Sequence, residues 1–333
     1  MVTPTFADYV QLLFTLFRRF MQQPAAHTHR GHPFVYLHSA LIVFFIIMQQ
    51  RHIFRFKAQR RWLDQHPELR PPIGLERLPD RTTLSRRYKA LYPVLQDFIA
   101  FLGQYAQALA PYGDRQHLYA DKSLFKAQGP VWHQSDRQAE RIPEKLRHVD
   151  TDATWSKSGY HGWVYGYGLH LTCNRAGFPK RVQVETAAVS ESQVLDAQAD
   201  DFLHALIPDT LTADNSYTQA TRIRQWAQHG VVLLTPALKW VQGRYATAYH
   251  HYLQEPANAA LLKRRRTAIE PMFDLVAKVL GTTANHKPLP IQTLTNVRTC
   301  LALATLTIQL AMIANSIWGL PLRNISAMAA AFT

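Results

Sequence analysis

Residues 117–125, HLYADKSLF, indicate the fold class of this 333-residue chain. The segment alternates in character and is rich in strand-forming residues, as in a β-strand whose successive side chains point to opposite faces. Asp121 is therefore predicted to lie in the middle of a strand, with its carboxylate on one face. We expect a sheet to begin here.

More strands follow on the C-terminal side. WVYGYGLHLTCN (163–174) predicts a second strand, and NRAG (174–177) predicts a tight turn into a third, PKRVQVETA (179–187). These three strands are expected to form an antiparallel meander. TLTAD (210–214) predicts a short fourth strand that ends at Asp214.

Helices separate the later strands. SESQ (190–193) has the pattern of a capping box at a helix start. SYTQATRIRQWAQHG (216–230) predicts the next helix, with Gly230 as its C-terminal cap. VVLLTPA (231–237) predicts a fifth strand that is buried on both faces. The predicted order is three antiparallel strands, helix, strand, helix, strand and a long late helix. This is the order of an RNase H-like fold. We predict an α/β fold with a mixed five-stranded sheet.

Three acidic residues are expected to converge in this topology. An RNase H-like fold sets one carboxylate on its first strand, a second at the end of its fourth and a third on a late helix, which are the positions of Asp121, Asp214 and Glu270. Magnesium prefers hard oxygen ligands, and two such ions can activate a nucleophile and stabilise the leaving oxygen of a phosphodiester. We predict a two-metal Mg²⁺ site, with Mn²⁺ able to substitute.

Four segments resemble motifs of the DDE transposases of bacterial insertion sequences. They are LYADKS (118–123), YGYGLHL (165–171), LTADNSY (211–217) and RRRTAIEPMFD (264–274). The resemblance covers roughly residues 115–280. It implies metal-dependent cleavage of DNA, followed by attack of the freed 3′ hydroxyl on target DNA. It also implies that Asp121, Asp214 and Glu270 are the first, second and third acids of the catalytic triad.

The surroundings of the third acid depart from the family pattern. Many relatives carry the signature Tyr-x2-Arg-x3-Glu-x6-Lys. Here Arg266 occupies the arginine position, Lys263 replaces the tyrosine and Lys278 stands one residue late. Pro271, directly after Glu270, removes a helix hydrogen bond and predicts a kink. These departures bear on the DNA contacts around Glu270 more than on its metal role.

Each acid also has a purely structural interpretation. Asp121 could be a surface residue on an edge strand, and Asp214 could cap the helix that follows it. Glu270 could pair with Arg266 at i,i+4 spacing, and Asp274, one turn later, competes for the third position. The topology favours the metal role for all three acids.

The net charge points to a polyanionic partner. Lys and Arg total 37 against 23 Asp and Glu, which gives +14 and an isoelectric point near 9.9. Nucleic acid and an anionic membrane surface are the two candidates, and nucleic acid is favoured.

Three groups of basic residues are candidate DNA contacts. A run at 263–266 enters the Glu270 helix, Lys239 follows the fifth strand, and LPDRTTLSRRYKALYPVL (78–95) predicts the end of a helix-turn-helix. The predicted DNA contacts are Arg86, Arg87, Lys89, Lys239, Lys263, Arg264, Arg265, Arg266 and Lys278. Arg51, Arg55, Lys57, Arg60 and Arg61 could extend the N-terminal basic surface.

Cysteine content and apolar stretches indicate the compartment. Cys173 and Cys300 are the only cysteines, too few for a disulfide framework, and they fit a reducing cytoplasm. The apolar stretch 33–48 is too short for a membrane span, and 299–320 contains polar residues. Both are predicted to be buried helices.

The sequence thus predicts three regions. Residues 1–110 form a helical domain that binds the element's DNA ends, 111–285 form the catalytic core, and 286–333 form helices packed on that core. The expected partner is double-stranded DNA, both element ends and target, bound by a homodimer in the bacterial cytoplasm at the nucleoid, with no membrane. Two alternatives are a decayed or domesticated DNA-binding protein and an RNase H-like nuclease without strand transfer.

Overall fold

The computed structural model describes residues 4–23, 35–106, 117–159, 162–236, 243–283 and 287–332. The chain divides into two compact units. Unit 1 consists of Met1–Leu102, Ala127–Asp152 and Leu275–Thr333, and unit 2 of Gly103–Lys126 and Ala153–Asp274. This division differs from the predicted boundaries at 110 and 285, because the helical segments from both ends of the chain belong to one unit.

Unit 1 is helical in its described residues. Its helices are α1 (Phe6–Met21), α2 (His38–Gln50), α3 (Phe56–Gln65), α4 (Arg81–Ala90), α5 (Tyr92–Tyr105, whose last turn belongs to unit 2), α6 (Gln134–Gln138), α11 (Leu294–Trp318) and α12 (Ser326–Phe332). Helix α11 packs against α1, α2 and α4.

Two helices of unit 1 are apolar on every side, which explains why they form its centre. Helix α2 is buried from Ala40 to Gln50. Helix α11 is long and apolar enough to cross a membrane, but 89% of its most apolar window is buried within the protein. Its polar residues find partners there, since Gln309 Nε2 donates to the carbonyl of Ile99 at 3.0 Å. Most of both apolar stretches forms buried helix, as predicted, but Val35 and Leu37 precede α2 and are exposed, as is Ile317 near the end of α11.

Unit 2 contains a six-stranded mixed sheet. Its strands are β1 (His117–Lys126), β2 (Thr154–Ser158), β3 (Gly162–Asn174), β4 (Pro179–Thr186), β5 (Thr210–Thr212) and β6 (Val232–Leu234). Strand β3 pairs antiparallel with β1, β2 and β4. Strand β5 pairs parallel with β1, and β6 pairs parallel with β5. The predicted mixed α/β sheet is confirmed, with β2 as an additional strand.

Helices cover both faces of this sheet. They are α7 (Glu191–Ala197), α8 (Ala220–Gln228), α9 (Arg244–Gln254) and the part of α10 (Pro256–Val279) up to Asp274. On one face, Leu118 and Ala120 of β1 pack in an apolar cluster with Leu195 and Trp226. Strand side chains alternate between faces, so Asp121 points to the opposite face. The first turns of helix α10 pack against the apolar cluster through Leu261 and Leu262, whereas Arg265 further along reaches Asp121.

Candidate active site

Asp121 is held from two directions in the middle of β1. Its Oδ1 accepts the backbone N–H of Lys122 at 2.9 Å, and its Oδ2 accepts from Arg265 Nη1 at 2.5 Å. The Asp121 side chain is only 15% exposed. Burial raises the pKa of Asp121 to about 6, the positive charge of Arg265 acts to lower it, and the negative charge of Asp214 acts to raise it further. The charge of Asp214 therefore reaches the carboxylate of Asp121.

The register between β1 and β5 explains why these two acids meet. The parallel pair ends with Tyr119 opposite Thr212, and each acid follows two residues later in its own segment. The negative charge of Asp214 acts on Asp121, so the two carboxylates lie near each other.

Asp214 also caps the turn that follows it. Its Oδ1 accepts the N–H of Ser216 at 2.8 Å at the start of the 3₁₀ turn Asn215–Tyr217. Its Oδ2 has only a 3.5 Å contact with Ser216 Oγ. The capping role considered from the sequence is therefore real, but it leaves Oδ2 available as a ligand atom. The two roles are compatible.

A buried arginine fixes this turn in place. Arg222 is 3% exposed, and its Nη1 donates to the carbonyl of Tyr217 at 2.7 Å. Its Nε and Nη2 donate to the two carboxylate oxygens of Asp196 at 2.9 and 2.8 Å. Ser192 Oγ adds a hydrogen bond of 2.7 Å to the Ser216 carbonyl. The position of Asp214 is thus tied to α7 and α8.

Glu270 is not brought to the other two acids. Its side chain is 54% exposed, and Arg266 Nε lies 3.8 Å from its Oε1. A residue five positions after Arg265 is rotated by about 140° around the helix axis, so the phase of α10 that directs Arg265 to Asp121 directs Glu270 outward. Asp274 is exposed as well. In the described part of the chain, no group of three His, Cys, Asp or Glu residues could hold one metal ion. Helix α10 continues through Pro271.

The predicted basic contacts near the third acid divide into two kinds. Lys263, Arg264 and Arg266 are exposed on α10. Arg265 was predicted to contact DNA, but its guanidinium is only 16% exposed and is bound to Asp121. Lys278 is exposed, and its Nζ lies 3.4 Å from Ser326 Oγ. Lys239 lies outside the described residues.

The predicted contacts on α4 divide in the same way. Arg86 and Lys89 are exposed. Arg87 is 8% exposed, and its Nη2 donates to the Tyr36 carbonyl at 3.1 Å, so a direct DNA contact does not fit its position. The predicted helix-turn-helix also differs from the structure, because residues 66–80 separate α3 from α4 and that motif has a turn of three to four residues.

Sequence reasoning missed Lys122, next to the first acid. Its Nζ donates to the carbonyls of Ala187 and Val189 at 2.9 and 2.7 Å, which ties β1 to the segment before α7. Burial lowers the pKa of Lys122, and the charges of Glu191 and Asp214 act to raise it. Glu191, at the start of α7, is thus a further missed acid whose field reaches the site. The lysine in LYADKS and the first acid of SESQ were the available signals.

Gly168, in the YGYGLHL motif, makes room for this lysine. A Cβ added at Gly168 would lie 2.7 Å from Lys122 Cε and 3.3 Å from His170 Nε2. Lys122 and His170 are opposite each other in the β1–β3 pair. A glycine is therefore required where the lysine stem crosses β3.

Residues 112–296 match the family described as transposase DDE domain. No curated protein sequence matches the chain. Among solved structures, the chain is similar to the Mos1 transposase paired-end complex with left transposon end, at 8% identity and a TM-score of 0.21 over 80% of this chain and 86% of that one. It is also similar to a pre-cleavage Mos1 transpososome, at 8% identity and a TM-score of 0.21 over 91% of this chain and 96% of that one.

The family match spans more than half of the 333 residues and includes β1 with Asp121, the Asp214 turn and α10 with Glu270. It coincides with the sheet on which the two aspartates meet. The chain belongs to the transposase DDE domain family.

Proposed function

We propose that this protein is a DNA transposase that cuts DNA at the ends of a mobile element and joins the freed 3′ end to target DNA. One observation supports the proposal: within the segment that matches the family, the negative charge of Asp214, two residues beyond β5, acts on Asp121 of β1. A pair of neighbouring carboxylates suits phosphodiester chemistry that needs a hard cation.

The donor set fits a divalent metal in part. Asp121 and Asp214 would hold it, since Asp214 Oδ2 keeps only a long contact with Ser216. Magnesium bound there would polarise the phosphodiester and activate the attacking hydroxyl. From its position in the motif, we propose Glu270 as the third ligand. Glu270 lies on α10, the helix that contacts Asp121 through Arg265.

The remaining residues of the site act on the position and charge of these acids. Arg222 holds the Asp214 turn against α7 and α8. Lys122 holds β1 to the segment that precedes α7. The positive charge of Arg265 offsets the negative charge of Asp121 and so reduces its repulsion with Asp214 at this buried position. These contacts hold the carboxylates of Asp121 and Asp214 in position despite their like charge.

We propose duplex DNA as the partner, bound as element end and as target, with two copies of the chain assembling on it. The charge of +14 and the exposed Lys263, Arg264 and Arg266 support this partner. Cys173 and Cys300 are buried thiols, which suits the reducing cytoplasm of a bacterial cell as the place of action.

The test is cleavage of a labelled duplex that carries the sequences flanking the gene, in the presence of Mg²⁺. Asp121→Asn and Asp214→Asn keep side-chain shape and remove one anionic ligand each, so cleavage should fall by orders of magnitude while DNA binding persists. Arg175→Gln, at an exposed turn outside the site, is the matched control and should cut normally. Full cleavage by either Asp variant would exclude that residue from the site.

One observation favours a second candidate, a DNA-binding relative that no longer cuts. Glu270 is exposed rather than gathered with the two aspartates. The wild-type protein would then bind the same duplex and leave it intact at every Mg²⁺ and Mn²⁺ concentration. A nuclease without strand transfer would cut the duplex but give no joined product with a supercoiled target plasmid.

A further inference from the structure

Unit 1 contains an open cleft of about 1250 Å³ that is lined by several cations. Residues around 54–57, helix α4 and residues 290–296 form its walls. Its basic side chains are Arg55, Lys57, Arg81, Arg86 and Lys89, and we call it the basic cleft.

One stripe of α4 faces this cleft. Arg81, Thr82, Ser85, Arg86 and Lys89 all line it, and their spacing of one, three and four residues places them on one side of the helix. Each carries a hydrogen-bonding group, and three are cations. The stripe spans the nine residues from Arg81 to Lys89, or about 12 Å of helix.

The opposite stripe of α4 anchors the helix to unit 1. Leu84, Arg87 and Tyr88 are buried there. Tyr88 also accepts, through its carbonyl, a hydrogen bond of 2.9 Å from Thr299 Oγ1 of α11. The polar stripe is thus presented by a helix whose other side is fixed in the core.

A second hollow of about 670 Å³ extends the basic surface along α3. It shares Lys57, Arg81 and Thr82 with the basic cleft and adds Arg60 and Arg61. Two carboxylates line it: Asp64, and Asp80 at 4.0 Å from Arg60. Within the described residues, no carboxylate forms a salt bridge with any of the five cations of the basic cleft. In the described part of the chain, these five cations are therefore available to an anionic ligand.

We propose that the basic cleft binds the sugar–phosphate backbone of duplex DNA, with the polar stripe of α4 against the duplex. The 12 Å stripe corresponds to roughly three to four phosphates of one strand, at about 3.4 Å of helix axis each. Seven cations over both hollows supply the charge that such contacts need.

The aromatic residues of the cleft favour a duplex over a single strand. Single strands are held by bases stacked on exposed aromatic rings. The ring of Phe56 packs edge-on against Tyr88 at 5.4 Å, and that of Phe54 stacks with His52 at 6.4 Å. Both rings are therefore engaged within the protein.

This inference rests on the proposed function for its partner, DNA. It assigns DNA binding to unit 1 and to residues other than Asp121, Asp214 and Glu270. The test is fluorescence anisotropy with the full-length protein, EDTA and a labelled 24-base-pair duplex of arbitrary sequence, from 50 to 200 mM salt. Arg86→Gln with Lys89→Gln is the cleft variant. Arg18→Gln with Arg175→Gln removes the same charge at exposed positions elsewhere and is the control.

Each lost phosphate contact should reduce the slope of log K against log salt by about 0.9. The slope for the cleft variant should therefore be smaller by about 1.8. When salt rises fourfold, the factor by which its affinity falls should be about twelve times smaller than the factor for the wild type. The control should keep the wild-type slope.

Two outcomes would overturn the inference while leaving the proposed function intact. One is a cleft variant with the same slope and affinity as its control, when the wild type binds the duplex. The other is a single strand of the same length that binds as tightly as the duplex and loses the same slope in the cleft variant. A wild-type protein that binds neither DNA at 50 mM salt would overturn both the inference and the proposed function.

Discussion

Arg265 Nη1 donates to Asp121 Oδ2 over 2.5 Å, so an arginine occupies the carboxylate oxygen that a metal ion would need. The pair is mostly buried, with exposed fractions of 16% for Arg265 and 15% for Asp121. A charge-assisted hydrogen bond of this kind is among the stronger polar contacts in proteins. Arg265 and a divalent cation are thus expected to compete for Asp121.

Arg265→Gln should strengthen metal binding. The substitution removes a competing donor and a positive charge beside the site, so Mn²⁺ affinity should rise about tenfold, or ~1.4 kcal/mol. Electron paramagnetic resonance titration of Mn²⁺ at pH 8, where Asp121 is ionised, would measure it. Arg266→Gln, one residue along the same helix but exposed, is the control. Equal Mn²⁺ affinity in both variants would contradict the competition.

The identity of the third ligand can be decided among three acids. If Glu270 completes the site, Glu270→Gln should reduce single-turnover cleavage by orders of magnitude, while Asp274→Asn and Glu191→Gln stay within a few-fold of wild type. Severe loss in Glu191→Gln together with normal cleavage in Glu270→Gln would instead give the third position to the start of α7.

Gly168→Ala should destabilise the protein. The new methyl group would lie 2.7 Å from Lys122 Cε, and the Lys122 ammonium is already bound to two carbonyls. Overpacking of this kind costs roughly 1–3 kcal/mol, which urea unfolding followed by circular dichroism would detect. Gly159→Ala, where an added Cβ meets nothing within 4 Å, should have a much smaller effect. Equal stability of the two variants would show that the Lys122 stem moves aside freely.

His170 should make the protein sensitive to acid. Burial, with the charge of Lys122, lowers the pKa of His170 to about 3, whereas an unfolded chain has a histidine pKa of about 6.5. Below pH 6.5 the unfolded state takes up a proton that the folded state does not. The stability associated with a neutral His170 is therefore complete above about pH 6.5 and is lost as the pH falls towards 3.

His170→Leu should flatten this acid limb, because the buried ring has no hydrogen-bond partner among the described residues. Urea unfolding between pH 4.5 and 7.5 would measure the slope of stability against pH, and His250→Gln, at an exposed position, is the control. A slope unchanged from wild type in His170→Leu would contradict the assignment.

The sheet was largely predictable from the sequence because its strands alternate or are continuously apolar. Strand β2 was not, since TWSKS is short and mixed in character, and it becomes a strand only by pairing with the first part of β3. Asp121 and Asp214 were predictable for the same reason, because their place follows from strand order and register.

Side-chain direction on helices was harder to predict. The phase of α10 depends on what packs beneath it, so the sequence alone could not show that Arg265 rather than Glu270 meets Asp121. For Arg87 a signal did exist, since Leu84, Tyr88 and Leu91 mark an apolar stripe that includes position 87. The common unit formed by both chain ends had no local signal, because its contacts join residues more than 200 positions apart.

The packing of α2 against α11 constrains how this protein can be made. A ribosome adds about 5–20 residues per second, so α2 emerges roughly 10–50 s before the helix that buries it. During that time the nascent chain exposes an apolar helix that chaperones would recognise. Unit 1 can close only once α11 has been synthesised, and a transcript cut short before codon 294 would lack the helix that packs on α2. The basic cleft, whose walls include residues 290–296, is complete only in chains synthesised at least that far.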